Sequence, residues 1–122
     1  MAHSFKISAA SADQFKFAFL YNAEPIFWSE TYKQKASARS AIESLQKNAP
    51  GAPTVDLSKD EAGTGYRFEI VKSKDDQHFV RFIASNGETM VRTETYASKA
   101  SASNAIRSLQ TNGPGAAVED QA

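Results

Sequence analysis

Apolar side chains along this chain follow two periods, and the change from one to the other happens twice. Phe15, Phe17 and Phe19 are separated by Lys16 and Ala18, while His78, Val80 and Phe82 are separated by Phe79 and Arg81. A period of two marks a strand with one buried face. Phe5 with Ile7, and Phe68 with Ile70, predict a strand ahead of each of these; Pro25 to Ser29 and Thr89 to Thr93 predict one behind. Pro25 suits a strand start because it has no N–H to give to a ladder. Ala38, Ala41, Ile42 and Leu45 then fall at i, i+3, i+4 and i+7, as do Ala102, Ala105, Ile106 and Leu109, which predicts a helix with one apolar stripe. Asn48 and Asn112 read as left-handed helix ends, and Pro50-Gly51 and Pro114-Gly115 block continuation. Thr54-Val55-Asp56 and Ala117-Val118-Glu119 read as short final strands.

The two series are copies of one unit. Phe5, Asp13 and Phe19 stand about 63 positions before Phe68, Asp76 and Phe82. From Asn22 onward the spacing is 64, through Glu30-Thr31-Tyr32 against Glu94-Thr95-Tyr96 and Lys35-Ala36-Ser37-Ala38 against Lys99-Ala100-Ser101-Ala102. The extra residue falls at Asn86-Gly87, which reads as a tight hairpin turn; the first copy has Asn22-Ala23, so the two turns should differ in shape. The expected organisation is one domain over 1–122, with repeat one at 3–58, a polar connector at 57–66 and repeat two at 66–120. A lone β-β-β-α-β unit has too little apolar area to offset its chain entropy, whereas two sharing a sheet make a continuous core. The fold class is therefore α+β: tandem units forming one sheet with two helices packed on it.

The residues that carry the repeat also carry a resemblance. Asn86-Gly87-Glu88 at the turn, Thr93-Glu94-Thr95-Tyr96, Lys99-Ala100-Ser101-Ala102 leading into the helix, and Asn112 at its end resemble the YegP-like family of small bacterial proteins, over nearly the whole chain. The resemblance implies a single sheet in which the units swap their C-terminal strands, with Val55 pairing in the second unit's part and Val118 in the first's. It supplies no activity, substrate or catalytic residue. The first copy departs from the pattern at Ala23, where glycine is usual, and at Gln34, where Ser98 stands in the second.

Composition narrows the class of function. With 122 residues, 41% hydrophobic, 23% charged, and 14 basic against 14 acidic side chains, the chain reads as one ordinary globular domain, and its zero net charge argues against a phosphate backbone as partner. No cysteine is present, so disulfides, thiol catalysis and cysteine metal sites are excluded. No apolar run approaches the ~20 residues of a membrane span, and Met1 to Lys6 lacks a basic segment followed by an apolar one, so the expected location is the cytoplasm.

No catalytic, metal or cofactor motif stands out, so candidate chemistry is a matter of surfaces. Glu30 and Glu94, repeated between third strand and helix, read as structural carboxylates accepting hydrogen bonds at the helix starts; paired acid and base catalysis is the distant alternative. His78, standing where the first copy has Phe15, reads as a partly buried, hydrogen-bonded imidazole. If Phe17, Phe19, Phe27, Val80, Phe82 and Val91 face the helices, strand alternation sends Lys16, Leu20, Ile26, Trp28, Phe79, Arg81, Met90 and Arg92 to the other face. Two helices cover one side only. The expected function is a non-catalytic binding module using that face, with a protein partner or a second copy; single-stranded nucleic acid is the alternative.

Overall fold

The computed structural model describes residues 3–59, 63–73 and 75–122. The first unit supplies β1 (His3–Ser11), β2 (Gln14–Tyr21), β3 (Glu24–Ser29), α1 (Lys35–Asn48) and β4 (Thr54–Asp56). The second supplies β5 (Arg67–Lys72), β6 (His78–Ile83), β7 (Thr89–Arg92), α2 (Lys99–Asn112) and β8 (Ala117–Asp120). All eight strands form one sheet in the order β4-β5-β6-β7-β3-β2-β1-β8. The units meet at its centre, where β3 and β7 pair antiparallel with Trp28 opposite Arg92 and Ser29 opposite Val91. They also meet at both flanks. The last strand of each unit lies parallel to the first strand of the other, Val55 opposite Glu69 and Val118 opposite Phe5. Of the connector, 57–59 form a short 3-10 turn and 60–62 lie outside the described residues, as do Met1 and Ala2.

Both helices lie on one side and close a single core. Phe5, Phe19, Phe27, Ile42 and Leu45 of the first unit and Phe68, Phe82, Val91, Ile106 and Leu109 of the second belong to one buried cluster. The ring of Phe27 stands 6.4 Å from that of Phe68, so the core is continuous across the junction. No helix among the described residues is long and apolar enough to cross a membrane.

The hairpin turns differ as their residues predict. Asn22 and Ala23 both take positive φ, 50° and 74°, the pattern of a two-residue turn in which alanine occupies a place suited to glycine. In the second unit Gly87 takes φ 90°, and Ala84 and Glu88 close a loop longer by one residue. The helix ends differ from expectation. Asn48 and Asn112 are not left-handed: the residues after them, Ala49 and Gly113, are right-handed, and their N–H groups donate to the carbonyls of Leu45 and Leu109. The turns that follow are closed by the Ala52 and Ala116 N–H groups, which donate to the Ala49 and Gly113 carbonyls, and are tied to the opposite helix. Gln46 Nε2 donates to the carbonyls of Gly113 and Ala116 at 3.0 and 3.2 Å, and Gln110 Nε2 to those of Ala49 and Ala52, both at 3.3 Å. With backbone N–H groups and side-chain amides together holding these turns, no left-handed residue is needed.

A second reciprocal device ties each final strand to the other unit's helix. Lys99 Nζ, at the start of α2, lies 2.8 Å from Asp56, while Lys35 and Arg39 of α1 lie 3.3 and 3.1 Å from Asp120. Burial alone would push the Asp56 carboxyl up, but hydrogen bonds from Lys99 and Ser58 outweigh it and bring the pKa from 3.8 down to about 2. Because the folded pKa is the lower one, this stabilisation is present above pH 3.8 and is lost as pH falls toward 2. Urea unfolding between pH 5 and 2 is expected to show the wild type losing about 1–2 kcal/mol more than Asp56→Asn over that window. Equal losses in both proteins would show that the ion pair contributes nothing.

Candidate functional site

The face of the sheet turned away from the helices carries one row of side chains running through all eight strands. Successive cross-strand partners place Val55, Glu69, Arg81, Arg92, Trp28, Ala18, Lys6 and Glu119 side by side. Trp28 and Arg92 hold its centre because they are opposite each other at the junction of the units. The Arg92 guanidinium lies 4.7 Å from the centroid of the Phe79 ring, a cation–π stack. Arg81 is committed to Glu69, Nε to Oε1 at 2.7 Å, and Arg67 binds the other oxygen at 2.9 Å. Glu69 is only 6% exposed on a face that no helix covers, because the stems of the two arginines flank it.

Of the residues expected on this face, two are elsewhere. Ile26 and Met90 pack against the core on the helix side. The ladder slips by one residue between Phe19 and Leu20 and again between Phe82 and Ile83, so β3 and β7 each carry a bulge at which Ile26 and Met90 are left without a partner. A bulge breaks the strict alternation, and both side chains turn inward. Ile26 borders a shallow depression with Tyr96, Ser101, Asn104 and Ala105. Of the apolar residues expected on this face, Trp28 and Phe79 stay there half-buried and Leu20 is buried, while the exposed large apolar side chains among the described residues are Tyr21 and Val118. Lys16, Trp28, Phe79, Arg81 and Arg92 share the open face, which keeps the aromatic and basic residues of the mixed face expected and loses Ile26 and Met90.

Glu30 and Glu94 do not cap the helices. α2 is capped by Ser98, whose Oγ accepts from the Ser101 N–H, and α1 begins at Gln34 with no side-chain cap. The two carboxylates are exposed, and they act at a distance on the neighbouring tyrosines: burial first, then the charge of Glu30 or Glu94, pushes the Tyr32 and Tyr96 hydroxyls up. Each helix starts four or five residues further along, too far for a carboxylate on the strand exit to reach its free amides. What holds the strand exits is a repeated hydroxyl. Ser29 Oγ accepts from the Phe17 N–H and donates to the Glu30 carbonyl, and Thr93 Oγ1 does the same between Val80 and Glu94.

His78 is half-buried, but its Nδ1 has no hydrogen-bond partner among the described residues, contrary to the satisfied imidazole expected. The depression beside it is lined by Ser58, Lys72, Asp76 and Lys99, so neither Glu30 nor Glu94 joins it there. Among the described residues no three His, Asp or Glu side chains gather as a metal-binding group.

An eight-stranded sheet built from two β-β-β-α-β units, helices on one face and an arginine-aromatic row on the other, defines a class of tandem-unit α+β proteins. Residues 10–56 and 73–120 match the family model described as "Domain of unknown function (DUF1508)", and the chain belongs to that family. It is 35% identical over 121 residues to a UPF0339 protein of Acinetobacter baylyi, covering 98% of this chain and 97% of that one. A UPF0339 protein of Caulobacter vibrioides is 54% identical over 52 residues, which are 43% of this chain but 88% of that protein. That relative is thus about one unit long. Two structures solved by NMR are similar along nearly the whole chain, each with a TM-score of 0.78: a UPF0339 protein of Shewanella oneidensis, 30% identical over 98% of this chain and 92% of that one, and yegP of Escherichia coli, described as a protein of unknown function, 28% identical over 99% and 94%. The family has no assigned activity.

Proposed function

We propose that the chain is a non-catalytic interaction module of the cytoplasm, and that the sheet face opposite the helices is its binding surface. The observation that carries this reading is the central cluster of Trp28, Arg92 and Phe79, with Lys16 on the same face: tryptophan and arginine are the side chains most enriched at the energetic centres of protein interfaces, and no described element covers them. Arg92 at the centre and Lys16 further along β2, neither paired with a carboxylate among the described residues, favour a partner with an acidic surface. The absence of cysteine suits a reducing compartment.

A second reading, single-stranded nucleic acid, is favoured by the Arg92–Phe79 stack beside Trp28, a platform on which bases could lie. Zero net charge weighs against it. Trp28 is the sole tryptophan, so its fluorescence reports this face directly. Titration with single-stranded RNA and DNA at low salt is expected to leave the emission unchanged, while a partner isolated with the wild type is expected to lose at least about tenfold in affinity for Trp28→Ala with Phe79→Ala. A partner that binds the double variant as well as the wild type removes the face from consideration, and salt-sensitive quenching by nucleic acid selects the second reading.

A further inference from the structure

The two units differ at several equivalent places on the uncovered face, and at one of them the first unit has a hollow. A cavity of about 510 Å³ lies over β1, β2 and β8, bordered by Ser4, Lys6, Leu20, Asn22, Ala117 and Glu119. Its counterpart in the second unit, reached by the repeat spacing, falls on Arg67, Glu69, Ile83, Asn86, Pro53 and Val55. There the space is filled. Arg67 reaches across to Glu69 at 2.9 Å and to the Gly65 carbonyl at 2.9 Å, and Gly63 lies so close to Val55 and Arg67 that a methyl group on it would meet them at 2.8 and 3.0 Å. In the first unit Ser4 stands in place of the long arginine, Lys6 in place of Glu69 and Glu119 in place of Val55, so two charges of opposite sign border the space. Lys6 and Glu119 are direct partners across β1 and β8 and line the same hollow, yet no ion pair joins them among the described residues, and Glu119 Oε1 accepts a long hydrogen bond, 3.4 Å, from Gln121 Nε2 at the same rim. Leu20, 7% exposed, forms an apolar floor beside them.

We infer that this hollow is a binding site for a small zwitterion of amino-acid size with an apolar side chain, its carboxylate on Lys6 and its ammonium on Glu119. A cation and an anion on adjacent strands, about 5 Å apart at the backbone, match a ligand whose own charges are close together. Where the second unit satisfies its charge internally with Arg67, the first leaves that role to a ligand. The site is separate from the Trp28 and Phe79 cluster and does not depend on the interaction proposed for it.

The test is a ¹⁵N-correlation NMR titration of the full chain with free L-leucine at millimolar concentration, with isocaproate and isopentylamine as arms that lack its ammonium or its carboxylate. Leucine is expected to shift the amides of Ser4, Lys6, Leu20 and Glu119 saturably, and each arm to bind about tenfold or more weakly. Lys6→Met and Glu119→Gln should each cost a similar factor, while Trp28→Ala with Phe79→Ala leaves leucine binding unchanged. Ser4→Arg combined with Lys6→Glu rebuilds the second unit's internal pair and should close the site while the fold persists. Absence of shifts at these amides, isocaproate or isopentylamine binding as well as leucine, or undiminished binding in the Ser4→Arg/Lys6→Glu variant overturns the assignment.

Discussion

Phe27→Ala is expected to lower the free energy of unfolding by about 3–5 kcal/mol and to leave a single transition. Phe27 is fully buried, sits opposite Phe19 within its own unit, and stands against Phe68 of the other. Removing the ring opens a cavity at the junction, and neither unit can collapse into it without moving the other. Because one core cluster spans both units, far-ultraviolet circular dichroism and Trp28 fluorescence should report the same urea midpoint in wild type and variant. Two separated transitions would mean that the units fold independently and that the shared core contributes little to either. A loss below about 1 kcal/mol would mean the same for Phe27 alone.

That coupling was legible in the pattern of residues, because it follows from counting. Each unit offers one helical stripe and one sheet face, and the alternation of Phe15 to Phe19 and the i, i+3, i+4, i+7 spacing from Ala38 survive in the structure as β2 and α1. The changed turn at Ala23 was legible too, since one residue more or less in a hairpin changes its type. What could not be read was what strand register and contacts between distant elements decide. The bulges that turn Ile26 and Met90 inward depend on how β3 and β7 register with their neighbours, and nothing in the local sequence marks them. The turns after Asn48 and Asn112 are held by Gln110 and Gln46, each 58 to 70 residues away from the carbonyls it serves. The repeat did hold a signal there: Gln46 and Gln110 are equivalent positions, and a polar residue kept in both copies beside a buried stripe points to a shared partner. The hollow was missed for a different reason. Ser4, Lys6 and Glu119 are unremarkable in themselves, and only comparison with Arg67, Glu69 and Val55 on a folded sheet shows that one copy is filled and the other open.

The filled copy makes the second large prediction. Glu69→Ala is expected to cost about 3 kcal/mol, because it leaves the Arg67 and Arg81 guanidiniums together without their anion in a place where Glu69 itself is 6% exposed. An ordinary surface ion pair contributes about 0–1 kcal/mol, so the size of the loss decides whether this face is a solvated exterior or a sheltered layer. Replacing all three, Glu69→Met with Arg67→Leu and Arg81→Leu, should restore most of the stability, since the charge left uncompensated, and not the pair itself, carries the cost. Urea midpoints at low and high salt complete the measurement. A sheltered triad loses little to added salt, whereas an exposed one is screened and the loss on Glu69→Ala shrinks. A cost below about 1 kcal/mol that vanishes in salt would place Glu69 in open solvent. It would also take away the contrast on which the hollow over Lys6 and Glu119 rests, because the two units would then be equally open at that place.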